Sequence, residues 1–171
     1  MSAVRLPVQF NPIRYAEQRR LITGEMPLRG MSRLAELLLD SSESVRVTLQ
    51  CDIDSDGYRI VSGELATTLQ LSCQRCLEPV RLPLQLTIAL AAVMDERAAE
   101  QLPSHYEPLL LSADGSCFLR DLIEDELLLA LPVITRHPEG ACPVKVVPPV
   151  VASEAVSAAH PFAALAALKK N

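Results

Sequence analysis

Alternation of apolar and polar residues runs through the middle of this chain, and it limits the possible folds more than any other feature. Successive side chains of a β-strand point to opposite faces of a sheet, so a period of two predicts strands with one buried face. The apolar positions are Val45, Val47, Leu49, Cys51 and Ile53 in a first run, Leu65, Leu69, Leu71 and Cys73 in a second, and Val80, Leu82, Leu84, Leu86, Ile88 and Leu90 in a third. Three strands joined in sequence predict an antiparallel meander with one dry face. One more strand is predicted over residues 106–111.

Two short helices are predicted before the first of these strands. Asn11 followed by Pro12 combines a favoured N-cap with a favoured first helical residue, and it predicts a helix over residues 13–20. A second helix is predicted over residues 33–40, with Ser32 as its N-cap. The apolar residues that share one face of this second helix are Leu34, Leu37 and Leu38.

A longer helix is predicted over residues 118–131, where Ser116 can cap the start and Pro132 ends the helix. The acidic residues in this helix are Asp121, Glu124, Asp125 and Glu126. The helix dipole favours acidic residues near its N-terminus. Because no nucleophile, histidine or glycine-rich phosphate loop completes a site with them, they predict a solvated helix face. The sequence contains no catalytic set, and we expect a protein that is not an enzyme.

The C-terminal part of the chain differs in composition from the rest. Residues 143–159 are rich in Pro, Ala, Val and Ser, and they predict an extended or flexible linker. Residues 160–171 predict a short amphipathic helix. Its apolar side can dock on a partner or pack on the domain itself, because a helix this short needs a surface to be stable. The candidate docking residues are Phe162, Leu165 and Leu168.

Together these patterns predict an α+β fold with a single domain over residues 1–142. A length of 171 residues suits one compact domain and a tail, and 49% hydrophobic with 22% charged residues is typical of globular domains. We expect an antiparallel meander or partly closed sheet with a few packed helices. A basic N-terminal arm over residues 1–33 and a flexible C-terminal tail complete the prediction.

Positive charge is concentrated at the N-terminus of an otherwise acidic chain. The formal net charge is −5, yet residues 1–33 contain six arginines against only Glu17 and Glu25. Such asymmetry is typical of a segment that contacts an anionic partner. Aromatic residues make up only 4% of the chain, which disfavours RNA readers that stack bases on several aromatic platforms. The candidate RNA-binding residues are Arg5, Arg14, Arg19, Arg20, Arg29 and Arg33.

No segment of the sequence has the pattern of an export signal or a membrane span. The N-terminus lacks a basic region followed by a continuous apolar stretch. The longest apolar stretch, residues 127–134, contains Pro132 and is far shorter than the roughly 20 residues that cross a bilayer. We therefore expect a cytoplasmic protein. The five cysteines are an odd number, which together with this location argues against a disulfide framework.

The spacing of cysteine and histidine predicts a metal site. Cys73 and Cys76 form a Cys-x-x-Cys pair at the turn between two strands, where two thiolates can bind one metal ion. His137 and Cys142 follow the long helix and can complete a closed Cys3His site for one structural zinc. In the alternative interpretation, Cys73 fills the dry face of the sheet and the other three are ordinary thiols and a surface histidine. The remaining two cysteines have no partner at ligand spacing and are expected in the core.

Several segments of the chain resemble the YceD family of bacterial proteins, described as large ribosomal RNA subunit accumulation proteins. These segments are VRLPVQFNPIRYAEQR, LSCQRCLEPV, LPSHYEPLLL, DLIEDELLLALPVITRHPEGAC and PFAALAALKK. CQRCLEPV and IEDELLLALP are the most specific, because they are long and occur in the order and spacing of the family. The resemblance implies a cytosolic ribosome-biogenesis factor that acts in the synthesis, processing or stability of 23S ribosomal RNA, with no established enzymatic activity.

The resemblance also implies metal binding and nucleic-acid binding. We expect as partners the large-subunit ribosomal RNA or its precursor, ribosomal proteins or assembly factors, and we expect neither a membrane nor a small-molecule substrate. The arginines of residues 1–33 would bind phosphate through their guanidinium groups. One alternative is an adaptor that contacts ribosomal proteins and does not bind RNA directly. Another is a metal-dependent RNA-processing nuclease, for which His137 and the acidic helix lack a convergent set.

Overall fold

A computed structural model describes residues 5–142, and its main feature is one five-stranded β-sheet. In chain order the strands are β1 (Gln9–Phe10), β2 (Leu21–Pro27), β3 (Ser44–Ile53), β4 (Arg59–Ser72), β5 (Pro79–Val93), β6 (Glu107–Leu110) and β7 (Cys117–Phe118). The sheet has the order β2-β3-β4-β5-β6 and is open, with β2 and β6 at its edges. Neighbouring strands are antiparallel except β5 and β6, which are parallel. The predicted meander is confirmed as β3, β4 and β5.

Short helices and a small ribbon pack around this sheet. The helices are α1 (Pro12–Glu17), α2 (Ser32–Ala35), α3 (Glu96–Glu100) and α4 (Leu119–Leu129). Helix α1 packs on β3 and β4, α2 contacts α4, and α3 lies beside β5 and β6. Strands β1 and β7 pair as a separate antiparallel ribbon. The α+β fold class is therefore confirmed.

Two predicted segments, the linker over residues 143–159 and the helix over residues 160–171, lie outside the described residues. The candidate docking residues Phe162, Leu165 and Leu168 belong to the second of them. In the part of the chain that the structure does describe, none of the helices has the length and hydropathy to cross a membrane.

Inward-facing residues of the central strands form the core. Val45, Val47, Leu49 and Cys51 of β3 are completely buried, whereas Ile53 at the end of the same strand is 36% exposed. Further core residues on β4, β5 and α4 include Val61, Leu65, Leu69, Leu71, Ile88, Leu90, Leu119, Ile123 and Leu127, and Cys73 after β4 is buried with them. Burial of one large aliphatic side chain contributes about 1.5–3 kcal/mol. The core therefore fixes the β4–β5 hairpin firmly against the rest of the domain.

A glycine in the middle of β4 allows a close approach between two strands. Gly63 lies opposite Leu49 and has a φ of +152°. A Cβ atom at this position would overlap the carbonyl oxygen of Thr48. Glycine therefore preserves the register of β3 against β4 at a point where any other residue would push the strands apart.

The predicted first helix forms, but it is shorter than residues 13–20. As predicted, Asn11 caps α1, and its Oδ1 accepts a hydrogen bond from the Arg14 N–H at 3.0 Å. The helix ends at Glu17. Arg19 has a left-handed φ of +50°, which a right-handed helix cannot accommodate.

The prediction for the second helix is wrong in its length, its cap and part of its buried face. Helix α2 is a single turn whose N-cap is Met31, so Ser32 is its first residue and not its cap. The chain leaves the helix early because the N–H of Leu39 bonds to the carbonyl oxygen of Gln70 in the sheet, at 2.8 Å. This turns Leu37 outwards, and its side chain is 52% exposed.

The prediction that Ser116 caps the long helix is also wrong. The N-cap of α4 is Phe118, which makes no side-chain capping bond. Ser116 instead belongs to a turn with Asp114, whose Oδ1 accepts hydrogen bonds from the Ser116 N–H at 3.1 Å and hydroxyl at 2.7 Å. That turn holds the hydroxyl away from the first turn of the helix. Helix α4 ends at Leu129, before Pro132 as predicted.

The basic N-terminal segment packs against the domain. Residues 21–27, for which the sequence predicts no element, form β2 and pair with β3 from Leu21↔Gln50 to Pro27↔Ser44. The burial of this edge strand alternates, with Ile22, Gly24 and Met26 on the inner side. The sequence does not show this alternation, because Leu21 is apolar but 58% exposed and Gly24 has no side chain. Of the candidate arginines, Arg14, Arg29 and Arg33 lie in helical turns, whereas Arg5, Arg19 and Arg20 lie in the connecting segments.

A buried carboxylate joins α4 to α2. Glu124 is 3% exposed, its Oε1 accepts the Leu34 N–H at 2.9 Å, and its Oε2 accepts Arg33 Nη2 at 3.1 Å. Arg33 Nη1 also donates to the exposed Asp125 at 2.6 Å. The first N–H groups of a helix have no partner within it, and Glu124 supplies one for α2. The interpretation of the acidic residues of α4 as a solvated face is therefore wrong for Glu124.

We expect Glu124→Leu to lower the free energy of unfolding by about 2–3 kcal/mol, because the buried Leu34 N–H loses its acceptor. The matched control Asp125→Asn removes an exposed ion pair with the same arginine and should cost less than about 1 kcal/mol. Urea unfolding measures both values. Equal losses in the two variants would contradict the anchoring role of Glu124.

The same anchor predicts a pH dependence. Burial raises the pKa of Glu124, but hydrogen bonds from the Leu34 N–H and Arg33 outweigh it and leave the pKa below its ordinary value of 4.5. A lowered pKa in the folded state means that the stabilisation is present above pH 4.5 and is lost as the pH falls through the folded value. The Glu124→Leu variant should therefore differ most from the parent chain at neutral pH, and the gap should narrow on acidification.

Candidate metal centre

A tight loop at the tip of the β4–β5 hairpin carries two of the candidate ligands. It spans residues 73–78, and the Cys73 N–H closes it by donating to the Glu78 carbonyl oxygen at 2.9 Å. The Leu77 N–H donates to the Cys73 carbonyl oxygen at 2.8 Å. Leu77 adopts a left-handed φ of +64°, at a cost of about 1–2 kcal/mol. This sharp turn brings the thiols of Cys73 and Cys76 to one place.

The other two candidate ligands come from the segment that follows α4. The Gln74 N–H donates to the Thr135 carbonyl oxygen at 2.8 Å and holds this segment against the hairpin loop. His137 Nε2 lies 3.0 Å from the Pro79 carbonyl oxygen at the start of β5. The chain then reverses in a turn, which returns Cys142 to the same loop.

The four side chains predicted from the sequence converge on one point. Their ligand atoms all lie within 4.8 Å of one another. Nδ1 of His137 is 3.5 Å from Cys76 Sγ and 3.7 Å from Cys142 Sγ, and the Sγ atoms of Cys73 and Cys142 are 3.9 Å apart. Tetrahedral zinc, with bonds of about 2.3 Å to sulfur and 2.0 Å to nitrogen, requires ligand atoms roughly 3.4–3.8 Å apart. The cluster therefore has the ligand types that one such ion needs, and these three separations are close to the required spacing.

Hydrogen bonds favour the thiolate form of Cys73, which is the form that binds a metal ion. Burial raises the pKa of Cys73, but the backbone N–H groups of Cys76, His137 and Arg75 outweigh it and lower the pKa to about 5. The Cys73 thiolate in turn raises the pKa of His137, because a protonated imidazole donates to it. Because a carbonyl oxygen such as that of Pro79 only accepts, Nε2 keeps its proton and Nδ1 is the nitrogen that exchanges a proton for a metal ion.

Arg75 places a positive charge beside the cluster. Its Nε donates to Cys142 Sγ at 2.9 Å, and this hydrogen bond raises the pKa of Arg75. With a divalent ion bound, three thiolates and a neutral imidazole would leave the site with a net charge of −1, which the Arg75 guanidinium would balance. Sequence reasoning missed this role, although the position of Arg75 between Cys73 and Cys76 is a signal that could have revealed it.

The cluster is a closed set of four protein side chains. Structural zinc sites have four protein ligands, whereas catalytic sites keep one position open for water or substrate. Cys73 is buried and the other three are half-buried. An ion held here would link the hairpin tip to a segment 61 positions away along the chain. The arrangement is suited to fixing structure.

The two cysteines outside the cluster have a different environment. Cys51 is completely buried in the core, and Cys117 is half-buried in β7. Burial raises the pKa of Cys51 to about 11 and that of Cys117 to about 12. Both thiols are therefore protonated and unreactive at neutral pH.

Three of the six candidate RNA-binding arginines interact with side chains of this chain. Arg33 binds the two carboxylates of α4 described above. Arg19 Nε lies 3.4 Å from Asp52 Oδ1, and the Arg20 guanidinium lies 4.2 Å over the ring of Tyr15. The exposed remainder are Arg5, Arg14 and Arg29. The six arginines therefore differ in their availability to phosphate.

Fold and site together define a class of protein: an α+β domain with an open, mostly antiparallel sheet and a Cys3His cluster at the tip of its longest hairpin. A family model described as "Large ribosomal RNA subunit accumulation protein YceD" matches residues 61–169. A Haemophilus influenzae protein with the same name is 32% identical over 174 residues, which cover 100% of both chains. The chain therefore belongs to the YceD family, as its resemblance predicted. No solved structure matches it.

Cys76→Ser should abolish the binding of one zinc per chain and lower the melting temperature, because the loop and the segment after α4 lose their cross-link. Cys117→Ser, which changes a cysteine outside the cluster, should keep both properties. Native mass spectrometry and thermal unfolding, with and without a chelator, measure them. A metal-free parent chain that melts at the same temperature with or without added zinc would contradict the site.

We expect Arg75→Gln to weaken zinc affinity about 10-fold, the lower end of the effect of residues that support metal ligands. The loss follows from the missing positive charge beside Cys142. Arg81→Gln is the control, because Arg81 pairs with Glu43 on the exposed side of the hairpin. Competition with a fluorescent zinc chelator gives both affinities, and equal values would show that Arg75 does not support the cluster.

Proposed function

We propose that this protein is a non-enzymatic, zinc-stabilised factor that promotes accumulation of the large ribosomal subunit RNA. The observation that carries the proposal is membership of the YceD family, together with full-length similarity to a protein named for this role. The proposal covers the synthesis, processing or stability of 23S ribosomal RNA in the cytoplasm. Its partners are this RNA or its precursor, ribosomal proteins or assembly factors.

The chemistry of the cluster supports a structural rather than a catalytic role for the metal. Metal-dependent hydrolysis needs a coordination position for water and a nearby acid or base. The cluster supplies four protein ligands and contains no carboxylate. The acidic helix that a nuclease would use has Glu124 and Asp125 engaged by Arg33. A biogenesis factor that acts by binding accounts for these features better than a nuclease.

An adaptor function is the second candidate, and one feature of the surface favours it. Leu129 ends α4, and Val133 and Ile134 follow before the metal ligands; these side chains are 76%, 94% and 51% exposed. Large apolar side chains grouped at a surface are typical of protein contact sites. An adaptor would influence ribosomal RNA through a ribosomal protein or an assembly factor, without contacting the RNA itself.

Complementation tests the proposed function. In Haemophilus influenzae that lacks its own YceD protein, this chain should restore the ratio of 23S to 16S ribosomal RNA, measured by gel electrophoresis of total RNA. Cys117→Ser should restore the ratio equally, and Cys76→Ser less well, because it loses the metal cross-link. Expression of this chain at the level of the relative without any gain in 23S RNA would overturn the proposal.

A separate assay tests the non-enzymatic part. The purified protein with bound zinc should leave precursor 23S RNA intact over hours of incubation. Cleavage that a chelator suppresses would overturn this part and favour the nuclease.

A further inference from the structure

A groove separates the N-terminal segment from the free edge of the main sheet. One wall is formed by residues 5–8, the other by residues 23–27 of β2, and the start of α4 closes one end. Its volume is about 1140 Å³. Because β2 is an edge strand, the groove also borders backbone groups that have no neighbouring strand. The groove is therefore large enough for a segment of another polymer.

Three arginines from distant parts of the chain line this groove. Arg5 precedes the β1–β7 ribbon, Arg46 lies on β3 opposite Glu25 of β2, and Arg120 lies in the first turn of α4. The Arg120 side chain extends across Gly30, where its Cζ would be 3.4 Å from a Cβ atom. The fold thus brings together positive charges from three separate segments.

Within the described residues, none of these three arginines has an ion-pair partner. Among residues 5–142, the ion pairs engage Arg19, Arg33 and Arg81, and none includes an arginine of the groove. Two carboxylates, of Glu25 and Asp121, also line the groove. Three arginines against two carboxylates leave the groove lining with a formal charge of +1, on a chain with a net charge of −5.

One aromatic ring is available beside these charges. Phe118 is 49% exposed and lines the groove. It is both the last residue of β7 and the N-cap of α4, so its backbone is fixed by two elements. An exposed ring on a rigid backbone next to guanidinium groups can stack a nucleobase while arginines hold the adjoining phosphates.

We infer that this groove binds a segment of single-stranded RNA, with Arg5, Arg46 and Arg120 on its phosphates and Phe118 against a base. The inference rests on the proposed function and specifies the surface through which the protein would reach ribosomal RNA. A single strand fits better than a duplex, because only unpaired bases expose their faces to an aromatic ring. Contacts to phosphates and to the face of one base predict weak sequence preference and strong salt dependence.

The test uses fluorescence anisotropy of a labelled oligouridine of about 12 nucleotides, within the range that one binding domain covers. Arg46→Gln with Arg120→Gln should weaken binding at least 10-fold and reduce the slope of log affinity against log salt by about 1.4, or 0.7 for each lost phosphate contact. The control is Arg59→Gln with Arg97→Gln, which removes equal charge from exposed arginines outside the groove. It should change affinity less than about 2-fold.

The aromatic contact is tested separately. Phe118→Ala should weaken binding by about 5-fold or more, since stacking of one base contributes about 1–3 kcal/mol. Leu129→Ala, which removes an exposed apolar side chain elsewhere on α4, should leave affinity unchanged. Thermal unfolding of each variant checks that the fold is retained. Because Arg46 and Phe118 are exposed, we expect melting temperatures close to that of the parent chain.

Each alternative outcome is distinct. If the Arg46→Gln, Arg120→Gln variant binds oligouridine as tightly as the parent chain, the groove is not the RNA-binding site. If the parent chain does not bind the oligonucleotide, the inference is also overturned. If a polyglutamate peptide binds in the groove and oligouridine does not, the ligand of the groove is an acidic protein segment and not RNA. None of these results decides whether the protein promotes 23S accumulation, because complementation by the parent chain measures that separately.

Discussion

The register of the β4–β5 hairpin is the constraint on which the rest of the structure depends. The two strands pair continuously from Ile60↔Ala91 to Ser72↔Pro79, and their inward side chains form much of the core. Cys73, the first residue after β4, is buried in line with the inward residues Leu69 and Leu71 and is also a candidate ligand. A slip of one residue would turn every side chain of β4 to the other face. The burial that fixes the sheet therefore also fixes where the first thiol of the cluster lies.

Helix α4 brings the second half of the cluster to the hairpin. His137, the first of the two ligands after α4, is 61 positions from Cys76 along the chain, so chain entropy opposes their meeting. Helix α4 is held by its buried core residues and by the hydrogen bond from the Leu34 N–H to Glu124. These contacts orient the helix without a metal ion. The fold thus brings the four side chains together, and an ion bound there would add stability by linking segments that already meet.

The parts of this structure that follow from local patterns could be predicted from the sequence. Alternation of residues identified the meander, and Cys-x-x-Cys at its turn located the cluster, because both signals lie within a few neighbouring residues. The contact between Arg33 and Glu124 joins positions 91 apart, and neither residue differs locally from an ordinary surface charge. Strand β2 could not be predicted either, because an exposed Leu21 and a glycine at one of its inner positions hide the alternation that its burial shows. The groove could not be predicted from local patterns, because its three arginines come from segments that lie far apart in the chain.

The metal cluster and the groove occupy different ends of α4, and this arrangement separates their roles. The hairpin extends six residues beyond the Arg46↔Ala66 pair before it reaches the loop, which is roughly 20 Å at 3.3 Å per residue. Phe118 and Arg120 lie at the start of α4, whereas the ligands follow its end. The buried Glu124 lies between them and ties the helix to α2. Without an ion at the cluster, the end of α4 would lack this link to the hairpin, whereas the Glu124 carboxylate would still tie the helix to α2, so Phe118 and Arg120 would keep their positions.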